Sequence, residues 1–267
     1  MFADQNILDE IVKKKEFLEK RKQADIHMLI SGMFDGALER EALEHSLRIE
    51  YPLVNRLDEA KPDAAEYQRL SNNLKKAWGY GRKHFKTPFD KQFLLAIANY
   101  VEPDAIKGDN GYRPMGVRPA NASVTPPYPA KIEQSMSKFF AELNQLQKSC
   151  NNDCDYIKNC IDIGSWIHLH LARIHPFEDG NGRTARIIHN LFLRNLDALP
   201  PVIIYEGERK DYINHLDSAV YGFKERDGES EGIVSRPILS QGEREFYDYM
   251  AGKLNVSLDR ILQSQYR

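Results

Sequence analysis

The chain has 267 residues, of which 42% are hydrophobic and 28% are charged, a composition typical of a globular protein with a substantial core. Its 37 basic and 39 acidic residues nearly cancel, and no basic stripe is interleaved with aromatic residues, which argues against nucleic acid as a partner. No apolar run approaches the length of a membrane span and residues 1–5 are not a secretory signal, so we expect a cytoplasmic protein without membrane partners, with export as an effector left open.

The first hundred residues have the periodicity of helices. Apolar residues recur at helical spacing from residue 5 onward, and the charged block at residues 13–22 fits the solvated face of an amphipathic helix. The two glycines of residues 31–36 interrupt this pattern, and Pro52 ends the next helical stretch. We predict helices over residues 5–30, 37–50, 57–60, 64–78 and 89–100.

The rest of the chain alternates an irregular segment with further helices. Glycines, prolines and short β-branched pieces between residues 102 and 128 predict an irregular hairpin. Apolar residues at helical spacing predict a helix over residues 156–174, which Pro176 stops just after His175. Further helices are predicted over residues 131–147, from residue 183 onward, over residues 209–220 and within residues 242–266. The fold class is therefore overwhelmingly helical.

Residues 175–186, His-Pro-Phe-Glu-Asp-Gly-Asn-Gly-Arg-Thr-Ala-Arg, combine groups that suit phosphate chemistry. The glycines of residues 180–182 permit backbone conformations closed to other residues, and the new helix that follows presents free N–H groups and a positive dipole end. Arg183 and Arg186 lie three apart, on one helix face, where both can bind phosphates. Asp179 offers hard oxygen ligands to a magnesium ion. The segment therefore predicts a phosphate-binding site.

These twelve residues resemble the signature of the Fic family at every fixed position. The resemblance implies an all-α, Fic-type helical bundle with a small β-hairpin flap over the active site. It also implies a protein adenylyltransferase, which transfers AMP from ATP to a Ser, Thr or Tyr hydroxyl of a target protein. ATP and a protein substrate are then the expected partners, and a homodimer is left open.

The family's residue roles carry over position by position. His175 is expected to be the general base, and Phe177 to anchor the loop in the core. Asp179 is expected to hold Mg²⁺ against the α- and β-phosphates. The resemblance further assigns an anion hole to Gly180, Asn181 and Gly182, the β-phosphate to Arg183 and the γ-phosphate to Arg186.

Residues 111–127 resemble the flap that aligns the target in Fic proteins by backbone pairing. Val117 and Arg118 are the residues of this segment expected to dock the target. Pro119 departs from the family pattern, because proline removes a backbone donor and shortens the strand edge available to a target.

A second segment, Ser46-Leu47-Arg48-Ile49-Glu50-Tyr51, resembles the inhibitory motif that many Fic proteins carry on a helix, here residues 37–50. Ser46 and Glu50 are four apart and therefore project from one helix face. The resemblance implies that Glu50 pairs with Arg186 and occupies the space of the γ-phosphate. Tyr51 stands where the family has a small residue.

The resemblance also divides the chain. We expect an N-terminal helical region over residues 1–88, a Fic core over residues 89–226 and a C-terminal tail over residues 227–267. Within the core, Tyr212 is expected to flank the adenine base.

Several functions remain open at the level of sequence. Glu50 is also compatible with orienting a water that removes AMP from a modified protein. Relatives use the same motif to transfer UMP or phosphocholine, so the transferred group is a family expectation. A third alternative is an inactive interaction module whose site is held shut.

Overall fold

The computed structural model describes residues 2–22, 27–51, 62–86, 89–119, 122–150, 155–197, 199–227 and 239–264. Within these ranges the chain forms nine α-helices and no β-strand. In chain order the helices are α1 (Gln5–Lys22), α2 (His27–Glu50), α3 (Ala64–His84), α4 (Lys91–Val101), α5 (Pro129–Cys150), α6 (Tyr156–Ile174), α7 (Asn181–Asp197), α8 (Arg209–Asp227) and α9 (Gln241–Ser264). There are also two short 3-10 helices: Pro103–Ala105 follows α4, and Glu206–Glu208 precedes α8.

Helix α6 is the centre of the fold. It is buried on nearly every side and packs against α5, α7, α8 and α9. The ring of Trp166 stacks on Phe139 of α5 with centroids 5.1 Å apart. Because α6 ends at Ile174, as its periodicity predicted, this buried helix delivers His175 to the surface of the core.

Two of the surrounding helices, α3 and α4, have N-cap aspartates whose side chains bond to the first helical turn. The Asp63 carboxylate accepts a hydrogen bond of 2.8 Å from the Glu66 N–H at the start of α3. The Asp90 carboxylate accepts one of 2.9 Å from the Phe93 N–H at the start of α4. Both caps satisfy backbone donors that have no partner within the first turn. Helix α3 begins where it was predicted and runs six residues further, to His84.

The predicted break at residues 31–36 is wrong. Helix α2 continues without interruption from His27 to Glu50. Each glycine in a helix interior costs about 1 kcal/mol relative to alanine, which packing can offset, and residues 31–36 contain no proline. Buried residues of α2 such as Leu38 and Leu47 supply that packing, because α2 lies against α3, α7 and α9. The predicted helix over residues 57–60 lies outside the described residues.

The end of the chain forms one long helix. Residues 242–266 were expected to contain more than one tail helix, whereas α9 runs unbroken to Ser264. Its buried face, including Phe246 and Leu254, packs against α1, α6 and α8. Residues 228–238 and 265–267, which belong to the predicted tail, lie outside the described residues.

The predicted β-hairpin is not present among the described residues of the segment 111–127. Four prolines in the segment supply no N–H group for a strand ladder. The Arg113 N–H donates instead to the Pro176 carbonyl at 2.9 Å, and the Arg113 side chain donates to the carbonyls of His175, Met115 and Pro127 at 2.6–2.8 Å. The segment is thus fastened to the loop after α6 by one arginine.

None of the helices within the described ranges is long and apolar enough to cross a membrane.

Candidate active site

The loop between α6 and α7 begins with a strained residue. His175 adopts a left-handed conformation, with φ 53° and ψ 59°, and it is the one non-glycine residue with positive φ among those described. The His175 N–H still donates to the Leu171 carbonyl at 3.0 Å, and Pro176 prevents another helical turn. Left-handed backbone at a non-glycine residue costs about 1–3 kcal/mol and concentrates at functional sites.

The ring of His175 is arranged to act as a base. Its Nδ1 lies 3.2 Å from the Ala172 carbonyl oxygen, an acceptor, which places the ring proton on Nδ1 and leaves a lone pair on Nε2. Burial lowers the pKa of His175 below its ordinary value of 6.5. The ring is therefore neutral at pH 7.

Asn181 closes the loop onto itself. Its side-chain oxygen accepts from the Phe177 N–H at 2.9 Å, and its side-chain nitrogen donates to the Phe177 carbonyl at 2.8 Å. Phe177 is buried and packs toward Tyr112, so the loop is anchored in the core. Because the Asn181 side chain is hydrogen-bonded to Phe177, only the backbone N–H of Asn181 is available to bind an anion.

Glycines shape the start of α7. Gly180 has φ 76°, and its carbonyl accepts the Thr184 N–H at 2.8 Å. The N–H groups of residues 181–183 belong to the first helical turn, where the helix supplies no acceptor. A Cβ atom on Gly182 would lie 2.6 Å from Glu50 Oε1 and 3.1 Å from an Arg186 nitrogen. Glycine at this position therefore lets a carboxylate approach the helix start.

Arg183 is buried in a network of carboxylates. It is 1% exposed, and its guanidinium lies 3.3 Å from Glu102 and 2.9 Å from Asp179. Glu102 also contacts Arg69 of α3 at 3.3 Å. Tyr51 places its ring centroid 5.7 Å from the Arg183 guanidinium carbon.

Asp179 is the candidate magnesium ligand, and its surroundings fit that role. Its side chain is 60% exposed and borders the cavity beside the start of α7. Magnesium in nucleotide sites typically takes one or two carboxylates together with substrate phosphates and water. Among the described residues no cluster of three or more His, Cys, Asp or Glu side chains could hold a metal by itself, so the phosphates would have to supply ligands.

Arg186 is held from two sides. Its Nε donates to Ser46 Oγ at 2.9 Å, and one terminal nitrogen donates to the Ser46 carbonyl at 2.9 Å and to Glu50 Oε1 at 2.6 Å. The other terminal nitrogen donates to the Tyr212 hydroxyl at 3.3 Å. The structure thus places Ser46 and Glu50 of α2 on the arginine that ends the motif.

The Glu50 carboxylate stays ionised. Burial alone would raise its pKa, but the guanidinium groups of Arg186 and Arg183 outweigh this effect and hold the pKa below its ordinary value of 4.5. The side chain keeps 36% of its exposure and faces the same cavity as His175. A negative charge therefore sits at the start of α7, where an anion is favoured.

These groups share a cavity of about 310 Å³. Its polar lining includes His175, residues 179–182 and Arg186. Its apolar lining comes from residues of α8 and of the segment 111–127. The cavity-lining residues that were predicted are Glu50, Val117, Arg118, His175, Asp179, Gly180, Asn181, Gly182, Arg186 and Tyr212.

The structure adds residues that the sequence did not reveal. Ile213, Leu216 and Val220 form the apolar wall on α8, at spacings of three and four that are equally typical of a core-facing stripe. Arg209 borders the cavity and donates from Nε to the Ile49 carbonyl at 2.5 Å, at the end of α2. Glu102 carried no sequence signal, because it lies 81 positions from Arg183.

Tyr212 lines the cavity but is almost completely buried. It is 1% exposed, so its ring offers little surface to an adenine base in this conformation. Its hydroxyl contacts Arg186 and the Nε2 of His168, the latter at 2.8 Å. The expected contact with adenine stays a prediction.

Residues 88–193 match the family model described as the Fic/DOC family. A protein named "Protein adenylyltransferase Fic" from Nematostella vectensis is 38% identical over 97 residues, which are 36% of this chain and 21% of that protein. The chain thus matches about a fifth of the length of such relatives.

Solved structures share the fold over nearly the whole chain. A Fic family protein from Desulfovibrio desulfuricans G20 superposes with a TM-score of 0.69 at 17% identity, over 99% of this chain and 76% of that one. A Fic domain containing signaling protein from Bacteroides thetaiotaomicron VPI-5482 superposes with a TM-score of 0.67 at 17% identity, over 97% and 96% of the two chains. The fold is the all-helical one of Fic proteins. The chain contains a Fic/DOC family domain over residues 88–193.

Proposed function

We propose that this protein is an adenylyltransferase that transfers AMP from MgATP to a hydroxyl group of a target protein, and that Glu50 restrains it. The observation that carries the proposal is one cavity that joins a neutral histidine base to the amide-rich start of α7 and to Arg186. A binding module has no need of an available imidazole lone pair beside an anion site. The names of the relatives point to the same chemistry.

The chemical step assigned to His175 is proton removal. The target hydroxyl oxygen attacks the α-phosphorus of ATP and forms a new P–O bond. The bond between the α-phosphorus and the bridging oxygen breaks, and pyrophosphate leaves. The hydroxyl proton passes to His175 Nε2, whose lone pair is available because Nδ1–H faces the Ala172 carbonyl.

The start of α7 stabilises the phosphates. The N–H groups of residues 181–183 and the helix dipole favour negative charge at this point. Arg183 is fixed by Glu102 and Asp179 for the β-phosphate, and Arg186 is assigned to the γ-phosphate. Asp179 would hold Mg²⁺, which when bound offsets the charge of adjacent phosphate oxygens.

Glu50 supplies the proposed restraint. Its carboxylate takes a terminal nitrogen of Arg186 at 2.6 Å and lies above Gly182, in the region assigned to phosphate. A γ-phosphate and this carboxylate compete for the same guanidinium and repel each other. ATP bound beside Glu50 is therefore misaligned for attack.

The segment 111–127 borders the cavity through Val117 and Arg118. We assign it to target docking. Because Arg113 attaches this segment to the loop at His175, a target docked on the segment would be held close to the proposed base. Pairing of a target strand with this segment requires a local extended conformation that the target itself would induce.

A second candidate is removal of AMP from a modified protein. The observation that favours it is that Glu50 keeps 36% exposure and borders the cavity that contains His175. An ionised carboxylate there has the charge and access to orient a water for attack on a phosphodiester.

Transfer is tested with ATP labelled on either the α- or the γ-phosphate. Purified wild type and Glu50→Gly are incubated with Mg²⁺, each labelled ATP and cell extract, and labelled protein is measured. We expect label from α-labelled ATP alone, with more in Glu50→Gly. Label from the γ-position would contradict nucleotidyl transfer. Parallel reactions with UTP and GTP test the choice of nucleotide, and loss of label from a premodified protein tests removal.

Magnesium is tested separately through nucleotide binding. We expect Asp179→Ala to weaken ATP binding in the presence of Mg²⁺ and to have little effect in EDTA. An equal effect with and without the metal would contradict the assignment of Asp179.

A further inference from the structure

A buried chain of three neutral side chains leads to Arg186 from the side opposite α2. Tyr212 accepts from Arg186, His168 lies 2.8 Å from the Tyr212 hydroxyl, and His189 lies 3.4 Å from the other ring nitrogen of His168. His168 is 0% exposed and Tyr212 is 1% exposed. The ring of Phe246 packs edge-on against His168, with centroids 5.6 Å apart, and fixes its orientation.

The donors and acceptors of this chain can be assigned. Arg186 only donates, so the Tyr212 oxygen accepts from it and has one proton of its own to place. Donating that proton to His168 Nε2 puts the His168 proton on Nδ1, which donates to His189 Nδ1. The reverse assignment would leave the Tyr212 proton without an acceptor beside the Arg186 guanidinium, whereas this assignment leaves the unpaired donor on His189 Nε2, which lies against Gly164 and away from Arg186.

The direction of these hydrogen bonds strengthens the contact with Arg186. A hydroxyl that donates to an imidazole becomes a better acceptor, because successive hydrogen bonds polarise one another. The three hydrogen-bonded side chains Tyr212, His168 and His189 also carry no negative charge. Burial raises the pKa of Tyr212, and burial lowers the pKa of His168 well below 6.5. The contact therefore holds the guanidinium without cancelling its charge, whereas Glu50 does cancel it.

We infer that Tyr212 and His168 are positioning residues that keep Arg186 aimed at the γ-phosphate after Glu50 has withdrawn. The inference rests on the proposed function. Ser46 and Glu50 belong to α2, but Tyr212 belongs to α8 and His168 to α6, so this contact does not depend on the restraining helix. The protein thus separates the group that blocks Arg186 from the groups that orient it.

The test compares the binding of ATP and ADP, which differ by the γ-phosphate. All variants are made in the Glu50→Gly background, and dissociation constants with Mg²⁺ are measured by calorimetry. We expect Tyr212→Phe and His168→Leu to lower the preference for ATP over ADP at least threefold, with ADP binding nearly unchanged. His168→Gln keeps a polar group within reach of Tyr212 and is expected to retain most of the preference.

Two controls separate this inference from the proposed function. Arg186→Ala should abolish the preference for ATP. Tyr247→Phe changes another buried tyrosine, on α9, and should leave the preference unchanged. Tyr212→Phe, which removes a single oxygen, decides the question if His168→Leu does not fold.

The outcomes are distinct. A preference lost in Arg186→Ala but kept in Tyr212→Phe overturns the inference alone. An equal loss in Tyr247→Phe also overturns it, because the effect would then be general to the core. A preference that survives Arg186→Ala overturns the phosphate role of Arg186 and the inference together.

Discussion

Arg183 and Arg186 lie one turn apart on α7, yet they are held by different parts of the molecule. Arg183 contacts Asp179 and Glu102, and both lie within residues 88–193, which match the Fic family model. The partners of Arg186 all lie outside that range: Ser46 and Glu50 on α2, and Tyr212 on α8.

The residues proposed to carry out the reaction are thus held mainly within the matched segment, whereas the residues proposed to restrain it lie outside that segment. The proposed base, the loop and Arg183 form a unit in which the ion pairs of Arg183 lie within the matched segment, although the ring of Tyr51 also approaches Arg183 from outside it. Arg186 is the arginine of the motif to which α2 is hydrogen-bonded. Removing Glu102, the buried partner of Arg183, should therefore damage the fold, whereas removing a partner of Arg186 should change activity. The following predictions test that separation.

The largest effect is expected for His175→Ala, which removes the proposed general base from within the matched segment. Loss of a general base costs about 100- to 10,000-fold in rate. We expect this loss of AMP transfer in both wild type and Glu50→Gly, with ATP binding largely kept, because the base acts on the incoming hydroxyl. Incorporation of α-labelled ATP and calorimetry measure the two properties. Equal transfer with and without the imidazole would exclude His175 as the base.

The next effect is expected for Glu50→Gly, which removes the contact that comes from outside the matched segment. It frees Arg186 for the γ-phosphate and should raise AMP transfer or self-modification at least tenfold, a change that needs about 1.4 kcal/mol of alignment energy. The double variant with Arg186→Ala should lose the gain, because the freed arginine is what the single change exploits. Measured incorporation that stays at the wild-type level in Glu50→Gly rejects the restraint.

The stability of two glutamine variants sharpens the comparison. Glu102 is 7% exposed and serves both Arg183 and Arg69, so Glu102→Gln should lower the free energy of unfolding by about 2 kcal/mol. The matched change Glu50→Gln affects a partly exposed carboxylate, and Arg186 keeps Ser46 and Tyr212 as partners, so its cost should stay below about 1 kcal/mol. Urea unfolding of both variants measures this. Equal losses would contradict the separation.

The smallest expected effect concerns the pKa of His175. Burial disfavours the imidazolium ion, so the folded protein should titrate at His175 below 6.5, with the ring neutral above that range. The negative charge of Glu50 raises this pKa, so Glu50→Gly should lower it further. NMR titration of labelled histidine, assigned with His175→Ala and referenced to the unfolded protein, follows both shifts. A midpoint at or above 6.5 in the folded wild type would contradict the conclusion that burial lowers the pKa of His175.

The local structure of the loop was accessible from sequence because its determinants are local. Helical periodicity and Pro176 predicted the bounds of α6, and the glycines at residues 180–182 predicted a turn that leads into a helix start. These properties depend on neighbouring residues along the chain. The same local evidence predicted a break at residues 31–36 that α2 does not have, because the glycines at residues 32 and 36 have a modest cost that the packing of α2 offsets.

Only the tertiary structure decided which side chains meet across the fold. The contact of Glu102 with Arg183 spans 81 positions, and that of His168 with Tyr212 spans 44. The sequence around a buried carboxylate or histidine does not indicate which helix packs against it, and therefore does not indicate its partner. Similarly, the segment 111–127 has the turn residues of a hairpin, but Arg113 directs its backbone to the loop after α6. Local spacing determines which residues share a face, and the packing of nine helices within the described ranges determines which faces touch.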